Sequence, residues 1–348
     1  MIRHYLILWL SILAFLHGAN RAPAQDKVRV AELSPRAEAA IDRGLRYLAQ
    51  TQNPNGSWGQ ANQVAITSLA LMAYMVKGHF PDRDPHGVTM AKGVDYLLKQ
   101  ARLNKGYLGS NMYEHGLGTL ALSEVWGEST RSDEVRDALK SAVSVIVRNQ
   151  TQRGGWGYYP DRDIAYQDVS ITVMQIVALA SAKEAGILVP DNTMKQAIDF
   201  VKSCQGANGA FGYQTAGDHR IGVPFARTAA GVTSLLMAGD RKSEAVKSGL
   251  AYLHGLGNAP FNPSYPWYYY GHYYAVQAMY QASEKDYQTW YPKIRDSLVN
   301  AQDVDGSWKG GIPTGVRTKI ETDRDSYCTP VAILILGVPY RYLPIYQR

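Results

Sequence analysis

The chain has 348 residues, of which 46% are hydrophobic and 19% are charged, a balance typical of a folded globular protein and not of a disordered or fibrous one. Its formal net charge is +6, and no run of Lys or Arg concentrates that charge, so we expect no nucleic-acid partner. The presence of only two cysteines excludes a framework built on disulfide bonds.

The first element in chain order is an apolar run over residues 5–16, which follows Arg3 and precedes an Ala-Pro-Ala segment at 22–24. This order predicts a signal peptide over residues 1–24 and export to the periplasm or the medium, followed by a linker over 25–34. The run is too short to span a bilayer comfortably and no second run follows, so we expect no transmembrane span after cleavage.

From residue 35 onward the chain repeats one unit of about 50 residues six times. Each unit has an amphipathic helical stretch, a glycine-containing turn and a more uniformly apolar helix. The predicted outer helices include 40–48, 94–97, 142–146, 198–201, 250–253 and 294–299, and the predicted inner helices span 64–75, 115–125, 169–182, 228–237, 273–282 and 327–336. Amphipathic helices bury one face, whereas helices that are apolar all round lie inside a protein.

Neither the first nor the last predicted inner helix resembles the polar cap that an open solenoid needs. The sequence therefore predicts a closed ring, an all-α α/α toroid of six helix pairs that forms a single domain over residues 35–348. Cys204 and Cys328 belong to the fourth and sixth repeats, which are not neighbours in such a ring, so we expect both thiols to be free.

Four of the turns share a motif of the form Q-x-x-x-G-x-W. It is matched by residues 52–58 and 302–308, and more loosely by 150–156 and 205–211. On these residues the chain resembles the squalene-hopene cyclase and protein prenyltransferase β-subunit superfamily. The resemblance covers roughly residues 35–340 and implies a terpenoid cyclase-like α/α toroid.

Cyclases of that superfamily begin one inner helix with Asp-x-Asp-Asp-Thr, in which a carboxyl group protonates the substrate alkene. The segment that resembles it here is Asp168-Val169-Ser170-Ile171-Thr172, and a hydroxyl group cannot protonate an alkene. Asp163 in the preceding loop stands beside an arginine, which favours its ionised form. We therefore expect no proton-initiated cyclisation.

Prenyltransferases of the superfamily hold zinc with Asp, Cys and His side chains at the openings of inner helices. His272, Asp325 and Cys328 resemble this ligand set in a permuted order, so the resemblance implies a possible zinc cofactor. The alternative is that Cys328 is a small buried apolar residue and that His272 stacks in the core.

Alignment of the six inner helices places one polar residue near the start of each: Gln63, Glu114, Asp168, Arg227, His272 and Asp325. Aromatic residues gather in the same places, and the chain has 24 Tyr against 6 Phe, which suits a partly wet cavity. The residues that we expect to contact a ligand are Tyr113, His115, Trp156, Tyr158, Trp267, Tyr270, His272, Tyr273 and Tyr327.

The resulting hypothesis is an exported toroid that binds a small apolar or amphipathic, isoprenoid-like ligand without cyclase activity. One alternative is an active enzyme, either zinc-dependent and isoprenoid-directed, or glycan-directed through acid and base catalysis by Glu114, Asp168 and Asp163. Another alternative is a scaffold whose outer face binds a second exported protein.

Overall fold

The computed structural model describes residues 33–83, 85–215, 224–310 and 324–343, so the predicted signal peptide and nearly all of the predicted linker lie outside it. The described residues form twelve α-helices: α1 (Pro35–Gln50), α2 (Gln63–Met75), α3 (Gly87–Leu103), α4 (Met112–Val125), α5 (Ser132–Arg148), α6 (Val169–Glu184), α7 (Asp191–Ser203), α8 (Phe225–Met237), α9 (Glu244–Gly255), α10 (Tyr268–Ala282), α11 (Glu284–Ala301) and α12 (Arg324–Leu336). Within these ranges no helix is long and apolar enough to cross a membrane.

Outer and inner helices alternate along the chain. The odd-numbered helix α1 buries one stripe that includes Ala37, Ile41, Leu45 and Leu48, whereas every residue of α2 after Gln63 is buried. The stripe recurs every three or four residues and therefore lies on one face of a helix, as the sequence predicts. The even-numbered helices are buried on all sides because the outer helices surround them.

The inner helices form a closed ring. Each even-numbered helix packs against the next one along the chain, and α12 packs against α2. Each outer helix packs mainly on the inner helix that precedes it, so that α3 lies on α2 and α1 lies on α12. The predicted toroid is confirmed, and the first outer helix of the chain covers the last inner one.

In four of the six turns a glutamine joins the turn to the next outer helix. Nε2 of Gln52 donates to the carbonyl oxygens of Gly56 and Thr89, both at 2.9 Å. Nε2 of Gln302 likewise donates to Gly306, at 2.9 Å, and to Ala40 in α1, at 2.8 Å. The sixth turn thus makes with the first outer helix the bonds that earlier turns make with the next helix, and these bonds close the ring.

In three of the turns a tryptophan fixes the turn to its own helices. Nε1 of Trp58, Trp156 and Trp308 donates to the carbonyl oxygens of Leu48, Ile146 and Leu298, at 2.7, 2.8 and 2.9 Å respectively. The backbone amide of the same position donates to a threonine hydroxyl of the following inner helix in four repeats: Thr67, Thr172, Thr228 and Thr329. The motif is therefore a structural device, with its indole buried and its polar atoms paired.

The fifth turn lacks the glutamine and the tryptophan, and aromatic rings occupy its place. The His272 ring lies 5.2 Å from the Phe261 ring and 5.7 Å from the Trp290 ring, between centroids. Tyr268 lies 4.9 Å from His272 and donates its hydroxyl to Ser297. His272, one of the residues expected to contact a ligand, therefore helps to fill the space left by the degenerate fifth turn.

Candidate functional site

The starts of the inner helices gather at one end of the ring, because each follows a turn at the same point of its repeat. Side chains from five of the six inner helices remain half-buried at this end, and they include Gln63, Tyr113, Ser170, Tyr270, Ser326 and Tyr327. They are mostly hydroxyl-bearing residues, and together they form the mouth of the ring.

Asp168 lies fully buried at this mouth as the N-cap of α6. Its Oδ1 accepts hydrogen bonds from the Ser170 hydroxyl at 2.6 Å and from the Ile171 amide at 3.0 Å. Its Oδ2 is buried without a hydrogen-bond partner. Burial raises the pKa of Asp168 above its ordinary value, and the donors to Oδ1, Ser170 and Ile171, oppose the rise, as does the nearby Tyr213 hydroxyl.

Three tyrosines of the neighbouring loops stand around Asp168. The hydroxyl oxygens of Tyr158 and Tyr213 lie 3.2 Å apart, and the Tyr158 and Tyr166 ring centroids lie 6.4 Å apart. Tyr158 and Tyr166 are each 39% exposed, whereas Tyr213 is half-buried. Backbone bonds hold the loops, because the Met112 amide donates to the Tyr158 carbonyl oxygen at 2.7 Å.

Tyr213 and Tyr166 are absent from the residues expected to contact a ligand. A signal for Tyr213 exists in the sequence, since Trp156-Gly157-Tyr158 and Phe211-Gly212-Tyr213 occupy the same position of adjacent repeats. Tyr166 carries no comparable signal, because its loop has no counterpart in the other repeats.

Arg227 supplies the cationic side of the mouth. It is buried, its Nε donates to the Phe211 carbonyl oxygen at 3.3 Å, and its guanidinium lies 5.9 Å from the centre of the Tyr213 ring. A cation over an aromatic face is attracted by the ring quadrupole, so Arg227 and Tyr213 stabilise each other's position.

Several of the aromatic residues expected to contact a ligand lie close to one another at the centre of the ring. The rings of Tyr113 in α4 and Tyr270 in α10 lie 6.3 Å apart, and Trp267 lies 6.4 Å from Tyr270. Burial raises the pKa of Tyr270 well above its ordinary value, and Tyr274, Tyr327 and the Asp168 carboxylate add to the rise, which the nearby Tyr113 hydroxyl opposes. The Tyr270 hydroxyl is buried without a hydrogen-bond partner.

The other predicted carboxylates have different surroundings. Oε1 of Glu114 accepts from the Ser110 amide and hydroxyl and from the Asn111 side chain, at 3.2, 2.6 and 3.3 Å. Glu114 thus completes the N-terminal cap of α4. Asp163 is exposed, and its amide donates to the side chain of Asp161 at 2.9 Å. Of the three predicted catalytic carboxylates, Asp168 alone is buried with an oxygen lacking a partner.

His115 and Trp156 were expected to contact a ligand, but both are buried in turns, and this corrects the expectation. Nδ1 of His115 accepts from the Leu108 amide at 3.0 Å, so the histidine replaces the threonine found in four other repeats. Its Nε2 lies 3.1 Å from the Ala142 carbonyl oxygen, and burial lowers its pKa to about 4. Trp156 is fully buried in its turn.

The structure does not assemble the predicted zinc ligands. Both nitrogens of His272 are engaged, since Trp290 Nε1 donates to Nδ1 at 3.3 Å and Nε2 lies 2.8 Å from the Pro260 carbonyl oxygen. Asp325 accepts from the Tyr47 hydroxyl on an outer helix. Burial raises the pKa of the Cys328 thiol to about 12, and its Sγ donates to the Gly310 carbonyl oxygen at 3.1 Å.

Across the described ranges no group of three or more His, Cys, Asp or Glu side chains could hold a metal ion. Cys204 and Cys328 are both buried, and they form no disulfide bond with each other, as predicted. The chemistry available at the mouth is therefore that of the buried carboxyl groups of Asp168 and Glu114, several phenol hydroxyls and the Arg227 guanidinium.

No family model and no curated protein matches the chain. Among solved structures it is similar to the type II terpene cyclase MstE from Scytonema in complex with its substrate geranylgeranyl dihydroxybenzoate. That match has a TM-score of 0.57 at 12% identity and covers 91% of this chain and 99% of that chain.

Two further solved structures are similar. One is an inactive variant of the α-1,6-mannanase of Salegentibacter in complex with α-1,6-mannotriose, with a TM-score of 0.64 at 8% identity over 88% of this chain and 99% of that one. The other is a protein from Actinoplanes, with a TM-score of 0.61 at 15% identity over 87% and 99%. At such low sequence identities the structural similarity shows a shared fold and not a shared activity. The chain therefore has the terpenoid cyclase-like α/α-toroid fold.

Proposed function

We propose that the protein is exported and binds a small amphipathic, isoprenoid-like ligand at the mouth of the ring, without protonating it. Asp168 and Tyr270 take the polar end of the ligand, and the rings of Trp267, Tyr113 and Tyr327 take its apolar part. Sites for small molecules are commonly aromatic with a few convergent polar groups.

The observation that carries this proposal is the pair of unpartnered polar atoms, Asp168 Oδ2 and the Tyr270 hydroxyl, in a tyrosine-lined centre. A buried polar atom without a partner costs about 1–3 kcal/mol. A ligand hydroxyl can donate to the carboxylate and accept from the phenol, which would recover that cost on binding.

The environment of Asp168 argues against a role as the initiating acid of a cyclase. Alkene protonation needs a strongly acidic carboxyl group, whereas burial raises the pKa of Asp168. The neighbouring Ser170 donates to the carboxylate at 2.6 Å and has no acidic proton to offer. We therefore expect no conversion of squalene.

The test is a titration of the purified protein with the ten-carbon prenyl alcohol geraniol, followed by intrinsic fluorescence and by native mass spectrometry. We expect saturable binding that Tyr270→Phe weakens about fivefold to tenfold, because the variant loses one hydrogen bond. Tyr268→Phe is the matched control on the same helix, since its hydroxyl donates to Ser297 at 2.7 Å instead of reaching the centre.

Two outcomes would overturn the proposal. If geraniol and its longer homologues farnesol and geranylgeraniol all fail to bind saturably, the ligand class is wrong. If incubation with squalene yields a cyclic product that disappears in Asp168→Asn, the protein is a cyclase.

A second candidate is a glycan-directed enzyme, favoured by the exposed rings of Tyr158 and Tyr166 above a buried carboxyl group of raised pKa. Tyrosine rings stack on sugar rings, and a carboxyl group whose pKa is raised is suited to general acid catalysis. Its test is release of reducing ends from a panel of polysaccharides. Loss of that release in both Asp168→Asn and Asp163→Asn would favour this candidate over ligand binding.

A further inference from the structure

Two tyrosines from opposite sides of the ring meet at its centre. In the ring of six inner helices α4 and α10 face each other, because each is the third neighbour of the other. The side chains of Tyr113 in α4 and Tyr270 in α10 nevertheless approach to 6.3 Å between ring centroids. A ring-to-ring distance of this size is direct aromatic contact, so the two side chains cross the space that the helices leave open.

Contacts of Tyr274 with neighbouring helices hold the α10 side of this crossing in place. Tyr274 stands one turn below Tyr270, with its ring 5.1 Å away, and donates its hydroxyl to Sδ of Met174 at 3.6 Å. The Tyr274 carbonyl oxygen accepts from the Thr233 hydroxyl at 2.8 Å, which ties α10 to α8. These contacts fix the rings of α10 in position.

The helices that carry the two tyrosines pack closely against their neighbours beside these side chains. At Gly271, next to Tyr270, an added Cβ would lie 2.2 Å from the Phe225 ring of α8. Helices α10 and α8 are therefore closer at this point than any residue larger than glycine would allow. At Gly116, one turn after Tyr113, an added Cβ would lie 2.7 Å from Met174 of α6.

The space beyond the crossing is polar. Glu124, near the end of α4, is buried and accepts from the Ser181 hydroxyl at 2.7 Å. Its charge adds to the rise that burial causes in the pKa of Tyr273, so the carboxylate and this phenol are neighbours. Gln277 in α10 is buried on the same stretch of the ring. A hydrocarbon chain would find unfavourable surroundings there, because it would strip water from these groups.

We propose that Tyr113 and Tyr270 form a bar that closes the centre of the ring and limits the ligand to a compact molecule held above it. This rests on the proposed function and specifies it further. Asp168 lies at the start of α6 and Tyr270 two residues after the start of α10, so the bar lies immediately under the polar anchor. Additional prenyl units of a longer ligand would remain in water.

The experiment compares the affinities of geraniol, farnesol and geranylgeraniol, which differ by one prenyl unit at each step. In the unaltered protein we expect all three affinities to agree within about threefold, since apolar surface that stays in water contributes no binding energy. In Tyr113→Ala we expect geranylgeraniol to bind at least tenfold more tightly than geraniol, because the gap left by the removed phenol, beside the rings of Tyr270 and Tyr274, buries added units above the polar groups that lie beyond the crossing. Tyr113→Phe keeps the ring but loses the hydroxyl beside Tyr270, so the three alcohols should again agree with one another within about threefold, whatever their common affinity.

Tyr270→Ala removes the other ring of the bar. If circular dichroism shows that Tyr113→Ala is unfolded, the dependence of affinity on the number of prenyl units is measured in Tyr270→Ala instead. An unaltered protein whose affinity rises tenfold with each prenyl unit would contradict the bar while leaving the proposed function intact. Affinities independent of length in folded alanine variants would contradict it too. Failure of all three alcohols to bind would instead reject the proposed function.

Discussion

The turns between the helices and the mouth of the ring follow different rules. In the turns, Gln52 and Gln302 make the same pair of hydrogen bonds, and Trp58 and Trp308 bury their indoles in the same way. At the mouth, Asp168 shares its position only with Asp325, and Asp168 and Tyr270 each leave a buried polar atom without a partner.

The difference separates scaffold from site. A repeated residue with its polar atoms satisfied stabilises the fold, whereas a departure from the repeat that leaves polar atoms unsatisfied costs stability. Such a departure is expected where a protein binds something. The comparison predicts that variants in the turns change stability, and that variants at the mouth change binding or pH dependence.

The largest effect is expected for Trp308→Ala, which should lower the free energy of unfolding by about 3–5 kcal/mol, because it empties a fully buried site. Trp267→Ala removes the same side chain from the mouth, where it is half-buried, and should cost far less. Urea denaturation measures both free energies. Equal losses would mean that the mouth is as much a part of the packed core as the turns.

The next effect concerns closure of the ring. Gly306 has φ of 90°, and an added Cβ would lie 2.6 Å from the Arg43 carbonyl oxygen of α1. Gly239 has nearly the same φ, 89°, with nothing within 4 Å of an added Cβ. Gly239→Ala should therefore cost about 1 kcal/mol for its backbone conformation, and Gly306→Ala about 2 kcal/mol more. Equal unfolding free energies in urea would show that the sixth turn does not need to approach α1 closely.

A smaller effect is expected for His115→Thr, which installs the residue that four other repeats use to receive the turn amide. We expect a loss of about 1–2 kcal/mol, since the bond to Ala142 disappears and some volume is lost. Affinity for geraniol should be unchanged. A variant of normal stability that no longer binds the alcohol would return His115 to the site.

The smallest effect is the pH dependence of Asp168. Its pKa is raised in the folded protein, so its contribution to stability is complete below its unfolded pKa and is lost as pH rises through the folded pKa. Asp168→Asn abolishes this loss, and the melting temperature of the variant relative to the unaltered protein should rise by a few degrees between pH 4 and pH 8. The exposed Asp163→Asn is the control, and a parallel rise there would refute the assignment.

Much of the fold could be predicted because its signals are local and repeated. The period of about 50 residues, the amphipathic stripes and the lack of polar caps at α2 and α12 predict a closed ring, and α12 packs on α2. The pairing of α1 with α12 was not predicted, because a repeat unit in the sequence does not say which neighbouring inner helix an outer helix covers.

The candidate site was predicted less well, for two reasons. The residues from Trp267 to Tyr274 are all near the start of one helix, and composition alone does not separate Tyr270, which faces the centre, from His272, which fills the degenerate fifth turn. Trp156 and His115 are chemically suited to a ligand wall, yet both complete turns.

By itself the sequence determined that the chain is a ring of helix pairs, because hydrophobic periodicity and the glutamine, glycine and tryptophan of the turns act through neighbours along the chain. Only the tertiary structure decided which side chains share the centre, since Tyr113 and Tyr270 belong to opposite repeats separated by more than 150 residues. Burial, which raises the pKa of Asp168 and leaves its Oδ2 without a partner, also exists only once the ring has closed.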